Sequence, residues 1–190
     1  MKSRKLFKVC ALLMLAVMSC LLFSGCGGQS EQKKFVITYL PNESTDKNAD
    51  ARKGMAGDLS KVLGMEVTQL VSNDYNAVIE AMRTGKADMA YFGPLSFCLA
   101  YERAGAEPIG MIAKDKDKKN ATYKSVLVTS SKNTDINSIQ DIKGKTMAFV
   151  DPNSTSGNLI PSAAIMKAFP GEKLSMDDLH TNGKFLQAVS

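Results

Sequence analysis

Ser154, Thr155 and Ser156 stand in a row within Asp151-Pro152-Asn153-Ser154-Thr155-Ser156-Gly157, and their chemistry is that of an oxyanion cradle. The apolar run 146–150 before them predicts a buried strand, and apolar residues at helical spacing over 158–168 predict a helix after them. A strand-to-helix junction leaves backbone N–H groups without intrahelical partners and points the positive end of the helix dipole outward. Three hydroxyls add O–H donors there, and Gly157 lets a ligand approach the backbone closely. A small anion suits such a place. The same residues also suit an ordinary N-cap, for which one hydroxyl suffices.

Other chemistry finds little support. The single histidine, His180, lies in a polar stretch before the last predicted strand and reads as a surface residue. There is no Gly-x-Ser-x-Gly elbow and the only histidine is loop-like, so hydrolysis has no base and the chain reads as a non-enzyme. Gly144-Lys145-Thr146 resembles the end of a phosphate-binding loop, but Ile139 occupies the place of its first glycine. Of the four cysteines, Cys10 and Cys20 fall in a leader-like segment and Cys26 at its end, which leaves Cys98 alone and no disulfide framework or zinc cluster. Cys98 falls in an apolar helical stretch and reads as a small core residue. No metal or cofactor is expected.

Residues 1–25 read as a secretory leader: Lys2, Arg4, Lys5 and Lys8 precede an apolar run over 9–23. Phe23-Ser24-Gly25-Cys26 then resembles a bacterial lipoprotein signal, which makes Cys26 the lipidated residue and places the protein outside the cytoplasm on the cell membrane. Residues 26–34 form a polar tether. The formal charge of +5 drops to +1 without the leader, 20 basic against 19 acidic residues, so nothing points to nucleic acid.

From residue 35 onward, strands and helices alternate. Strands are predicted at 35–40, 65–71, 87–92 and 107–113, and helices at 49–63, 75–84 and 95–104. Met55, Leu59, Val62 and Leu63 form the apolar face of the first helix, ended by Gly64, and Asp74 caps the second. A charged loop at 114–119 comes next, then a strand at 124–130, a short capped helix at 138–142, the motif with its strand and helix, and a last strand at 185–189. This alternation implies an α/β fold with parallel sheets, whose ligands sit outside the carboxyl ends of the strands. Tyr75, Gly93 and the hydroxyl cluster all fall just past such ends. The chain stops directly after a predicted strand, which would leave an open sheet edge, so it reads as truncated.

Asp74-Tyr75-x-x-Val78-x-Glu80-Ala81-Met82-x-x-Gly85-Lys86-Ala87-Asp88, Phe92-Gly93-Pro94-Leu95-Ser96, Tyr123-Lys124-Ser125-Val126 and Phe149 through Gly157 together resemble the phosphonate-binding proteins of ABC importers. The resemblance implies a two-lobed periplasmic-binding-protein fold of type II, with residues 35–122 as the first lobe and 123–190 as the start of an incomplete second. It implies capture of phosphonate, phosphite or phosphate by lobe closure, with Tyr75 and Tyr123 contacting the ligand and Ser154 and Thr155 holding its oxygens. Ser156 joins them on geometry. Implied partners are the importer's permease and ATPase, with the chain itself a monomer. The family's downstream Gly-Ser-His-like motif and ammonium-binding carboxylates are not found, and a half-built second lobe neither excludes water nor completes the donor set, so weak binding by this form is expected. A sensory module feeding a signalling partner is the alternative reading.

Overall fold

The computed structural model describes residues 33–113 and 115–189. The leader 1–25, the expected lipidation position Cys26 and the tether as far as residue 32 lie outside the described residues.

The first sheet is built around β1, Phe35–Tyr39. It pairs in parallel with β2, Val67–Val71, on one side and with β3, Met89–Tyr91, on the other, Tyr39 lying opposite both Val71 and Tyr91. A central parallel strand is covered on both faces, which is why Ile37, Thr38 and Tyr39 are all buried. Between the strands run α1, Ala49–Leu63, and α2, Tyr75–Arg83. Gly64 ends α1 in the left-handed conformation at φ 65°, which glycine adopts without strain. Asp74 caps α2 by accepting the Ala77 N–H at 2.8 Å. After β3, α3 spans Pro94–Ala104, with Pro94 at the first position, where its missing N–H costs nothing. Arg103 ties α3 to α2 through Glu80 at 2.8 Å and Asn76 at 2.9 Å.

The second sheet is a parallel pair, β4 at Thr146–Ala148 and β5 at Gln187–Val189. Against it pack α4, Ile160–Ala168, and the short α5, Met176–His180, around Ile142, Ile165, Leu179, Phe185 and Leu186. Ile139–Ile142, expected as a capped helix, is a 3-10 turn capped at Ser138.

Five expectations need correction. No strand forms at 107–113 or 124–130, and Ile109 and Val128 are 81% and 87% exposed. Both segments have β-forming composition, but a strand exists only as part of a ladder, and neither has a partner among the described residues. The apolar stripe of α1 is largely in solvent; Arg52 and Ala56 are the buried positions instead. A three-stranded sheet is too narrow to cover the far end of that helix. Cys98 is exposed, because α3 buries Ser96 and Ala100 and turns the residue between them outward. His180 is half-buried rather than on the surface: its ring lies 4.0 Å from that of Phe149, and Nε2 is 2.9 Å from the buried Ser162 hydroxyl.

Candidate functional site

Beyond β4 the chain turns sharply. The Asp151 carboxylate accepts the Asn153 N–H at 2.8 Å, and the Asp151 carbonyl accepts the Ser154 N–H at 2.8 Å. Ser154 is extended and caps the next turn, its hydroxyl oxygen accepting the Gly157 N–H at 3.1 Å. Residues Thr155–Leu159 then form one π-helical turn before α4 begins, later than the helix start expected at residue 158. Single wide turns of this kind recur at functional sites.

Gly157 is pressed against the strand end. A Cβ there would lie 2.4 Å from Val150 Cγ2, and the Val150 N–H donates to the Gly157 carbonyl at 3.0 Å. The Asn158 side chain closes the other side, donating to the Val150 carbonyl at 3.2 Å. Glycine is therefore needed at 157 for packing against Val150, a reason distinct from the ligand approach read from the sequence.

The turn meets the start of α3. Thr155 Oγ1 accepts the Leu95 N–H at 2.8 Å. Leu95 offers the first N–H of that helix, since Pro94 has none. A Cβ on Gly93 would find Thr155 Oγ1 at 3.6 Å, Ser96 Oγ at 3.8 Å and the Tyr123 hydroxyl at 4.0 Å. The N-terminus of α3, the N-terminus of the π turn and the Tyr123 phenol thus converge on one glycine. Ser125 holds the Tyr123 segment to the turn by donating to the Ser156 carbonyl at 2.6 Å.

Chemically, this is a junction rich in donors. Ser154 and Thr155 each accept one N–H and keep their own O–H to donate. Two helix N-termini direct positive dipole ends into the same space. The Tyr91 phenol, on the strand leading to Gly93, is pushed up by burial and then by the charges of Glu43 and Tyr123, so it stays neutral and able to donate. Among the described residues no cluster of three metal-ligating side chains occurs.

Of the residues expected to form the site, Thr155 and Tyr123 reach Gly93 directly, while Ser154 and Ser156 flank Thr155 on the turn. Tyr123 is 59% exposed. Tyr75 is set back: its ring is in the core with Leu40 and Val78, and only its hydroxyl reaches out, to Asn42 Oδ1 at 3.5 Å. Sequence reasoning missed the Leu95 N–H and Ser125. Both residues stand inside motif strings of the sequence, but their partners are 60 and 31 positions away.

Known proteins resemble this chain over most of its length. Residues 37–187 match the family model described as ABC transporter, phosphonate, periplasmic substrate-binding protein. The chain is 31% identical over 157 residues to the phosphate-import protein PhnD of Mycolicibacterium smegmatis, covering 77% of this chain and 49% of that one. It is 31% identical over 145 residues to the phosphonates-binding periplasmic protein of Escherichia coli, covering 74% of this chain and 42% of that one. In structure it is similar to a binding protein component of an ABC phosphonate transporter from Pseudomonas aeruginosa. There the TM-score is 0.64 at 25% identity, over 84% of this chain and 51% of the other. The chain spans about half the length of the curated relatives it matches.

Proposed function

The chain belongs to the family of periplasmic substrate-binding proteins of phosphonate ABC transporters, and from that premise we propose that it captures a phosphonate, phosphite or phosphate for import. The observation that carries this reading is the meeting of Thr155, the Leu95 N–H and the Tyr123 hydroxyl around Gly93. An anion seated there takes hydrogen bonds from Ser154, Thr155, Ser156 and free backbone amides, each worth about 1.5–3 kcal/mol to a charged group. Tyr123 flanks it, whereas Tyr75 stands behind, its ring in the core and its hydroxyl donating to Asn42. The ligand's charge is met by dipoles and hydroxyls rather than by a fixed cation, which allows tight yet reversible binding.

The first lobe is residues 35–122 and the second begins at 123, with closure of one on the other excluding water from the anion. No bond of the ligand is made or broken, and no cofactor takes part. The protein is a monomer tethered outside the cytoplasm through lipid on Cys26, and it hands its ligand to a permease and ATPase.

The test is a calorimetric titration of the full-length protein, lacking only its leader, with methylphosphonate, 2-aminoethylphosphonate, phosphite, phosphate and sulfate. Micromolar or tighter binding of one phosphorus oxyanion, with sulfate silent, is the expected result. Heat from none of the five would sink the proposal.

A further inference from the structure

Arg52 is the only charged side chain buried among the described residues, at 9% exposure. It lies in the first turns of α1. Its Nη1 donates to the carbonyl oxygens of Glu43 and Thr45, the latter at 2.7 Å, and its guanidinium carbon stands 5.8 Å from the centre of the Tyr39 ring. Nε is buried with no partner. Among the described residues no carboxylate lies within ion-pair distance of it. The positive end of the α1 dipole is nearby and opposes a cation there. Two carbonyls and an aromatic face compensate only part of the desolvation, and water can reach those part-buried carbonyls, so an apolar side chain of similar length costs little stability.

What the guanidinium does is tie a loop to a helix. Residues 41–45 leave the carboxyl end of β1, beside β3 and hence beside the strand that leads to Gly93. Within the loop, turn bonds from Glu43 to Leu40 and from Ser44 to Pro41 set the local shape. Arg52 links the loop to α1. Alongside it, the Ser44 hydroxyl donates to the Tyr39 carbonyl at 3.2 Å and the Leu40 carbonyl at 3.0 Å, and the Asn48 side chain donates to the Asn42 carbonyl at 3.4 Å. From the loop so held, Asn42 Oδ1 accepts the Tyr75 hydroxyl at 3.5 Å. The Glu43 carboxylate accepts the side-chain N–H groups of Asn42 at 2.9 Å and Asn48 at 3.0 Å. Glu43 also lies close enough to Tyr91 for its charge to act on the phenol.

We propose that Arg52 is a positioning residue for oxyanion binding: held between Tyr39 and the Glu43 and Thr45 carbonyls, it sets Asn42 and Glu43 as the wall of the crevice beside Tyr75 and Tyr91. The inference rests on the proposed capture of an oxyanion by this protein. It accounts for a buried charge without an ion-pair partner among the described residues, which core packing does not. Binding, more than folding, depends on this residue.

The test compares wild type, Arg52→Met, Arg52→Lys and Asn42→Ala in the full-length protein. The readouts are methylphosphonate affinity well below the melting temperature, the melting temperature itself, and amide hydrogen exchange of residues 41–45 without ligand. Arg52→Met is expected to speed exchange in the loop and weaken binding on the order of tenfold, because an unanchored loop must be ordered at the moment of binding. Its melting temperature falls by no more than about 2–4 °C, the effect of a stranded group that water can reach. Arg52→Lys restores part of the affinity, since an ammonium reaches one carbonyl but lacks the planar fork. Asn42→Ala weakens binding a few-fold with Arg52 intact. Wild-type affinity in Arg52→Met, or a lowered melting temperature with affinity kept, overturns the inference while leaving the oxyanion reading standing. Should Arg52→Met not fold, full affinity in both Arg52→Lys and Asn42→Ala overturns it equally. A wild-type protein that binds no phosphorus oxyanion removes the oxyanion reading and this inference together.

Discussion

Replacing Thr155 by valine separates the two tasks of its hydroxyl. Valine keeps the branched shape and removes the oxygen's hydrogen bonding. Without ligand, the Leu95 N–H loses its acceptor at 2.8 Å. A stranded donor costs about 1–3 kcal/mol, and water can reach this part-buried helix start, so the low end of about 1 kcal/mol applies. For a domain of this size that is a fall of about 2–4 °C in melting temperature. With ligand, the variant also lacks one O–H donor to an anion, about 1.5–3 kcal/mol, or roughly 10- to 150-fold in Kd. Thr155→Ser keeps both bonds and stays near wild type. Thermal melts of the ligand-free protein and calorimetric titration with methylphosphonate, both on full-length protein, read the two effects separately. Binding by Thr155→Val within twofold of wild type would rule out a Thr155 hydrogen bond to the ligand and reduce the hydroxyl to an acceptor for Leu95.

Gly157→Ala places a Cβ 2.4 Å from Val150 Cγ2, and Val150 is pinned through its N–H to the Gly157 carbonyl. The crowding costs about 1–3 kcal/mol against about 0.4–1 kcal/mol gained from a stiffer unfolded chain. Thermal melts should show a lower melting temperature, recovered in part by adding Val150→Ala, and an unchanged value would contradict the packing. Ser125→Ala removes the bond to the Ser156 carbonyl at 2.6 Å. It should weaken methylphosphonate binding by about 0.5–1.5 kcal/mol, as a neutral hydrogen bond does; equal titration curves would show that Ser125 does not hold the turn. Burial holds the His180 imidazole below its ordinary range. The unfolded chain then binds the proton more readily, so the stabilisation is present above a pH of about 6.5 and is lost as pH falls through the folded-state value. Melting temperature should drop on going from pH 7 to 5 in wild type and drop less in His180→Gln, and parallel curves would contradict this.

Local signals are the legible ones in this sequence. The bounds of α1, its ending at Gly64 and the Asp74 cap each depend on residues within a turn of one another. Segments 107–113 and 124–130 mislead because composition reports β propensity, whereas a strand requires a partner elsewhere in the chain. The outward turn of Cys98 and the half-buried place of His180 likewise depend on which neighbours arrive: the core beneath α3 for one, Phe149 and Ser162 for the other. At the site, the hydroxyl run and its strand-to-helix setting are visible in the sequence at once. The junction with α3 is not, since Thr155 meets Leu95 across 60 positions. Arg52 is hidden for a related reason. A charged residue on an amphipathic helix reads as solvated until the loop that buries it is seen.

The most direct test of the central claim is a crystal structure of the full-length protein with methylphosphonate. Phosphonate oxygens should lie about 2.6–3.0 Å from the Thr155 hydroxyl and from at least one of the Ser154 and Ser156 hydroxyls, with the Tyr123 phenol alongside. A phosphonate bound elsewhere, with these hydroxyls serving only as caps of the π turn, would contradict it.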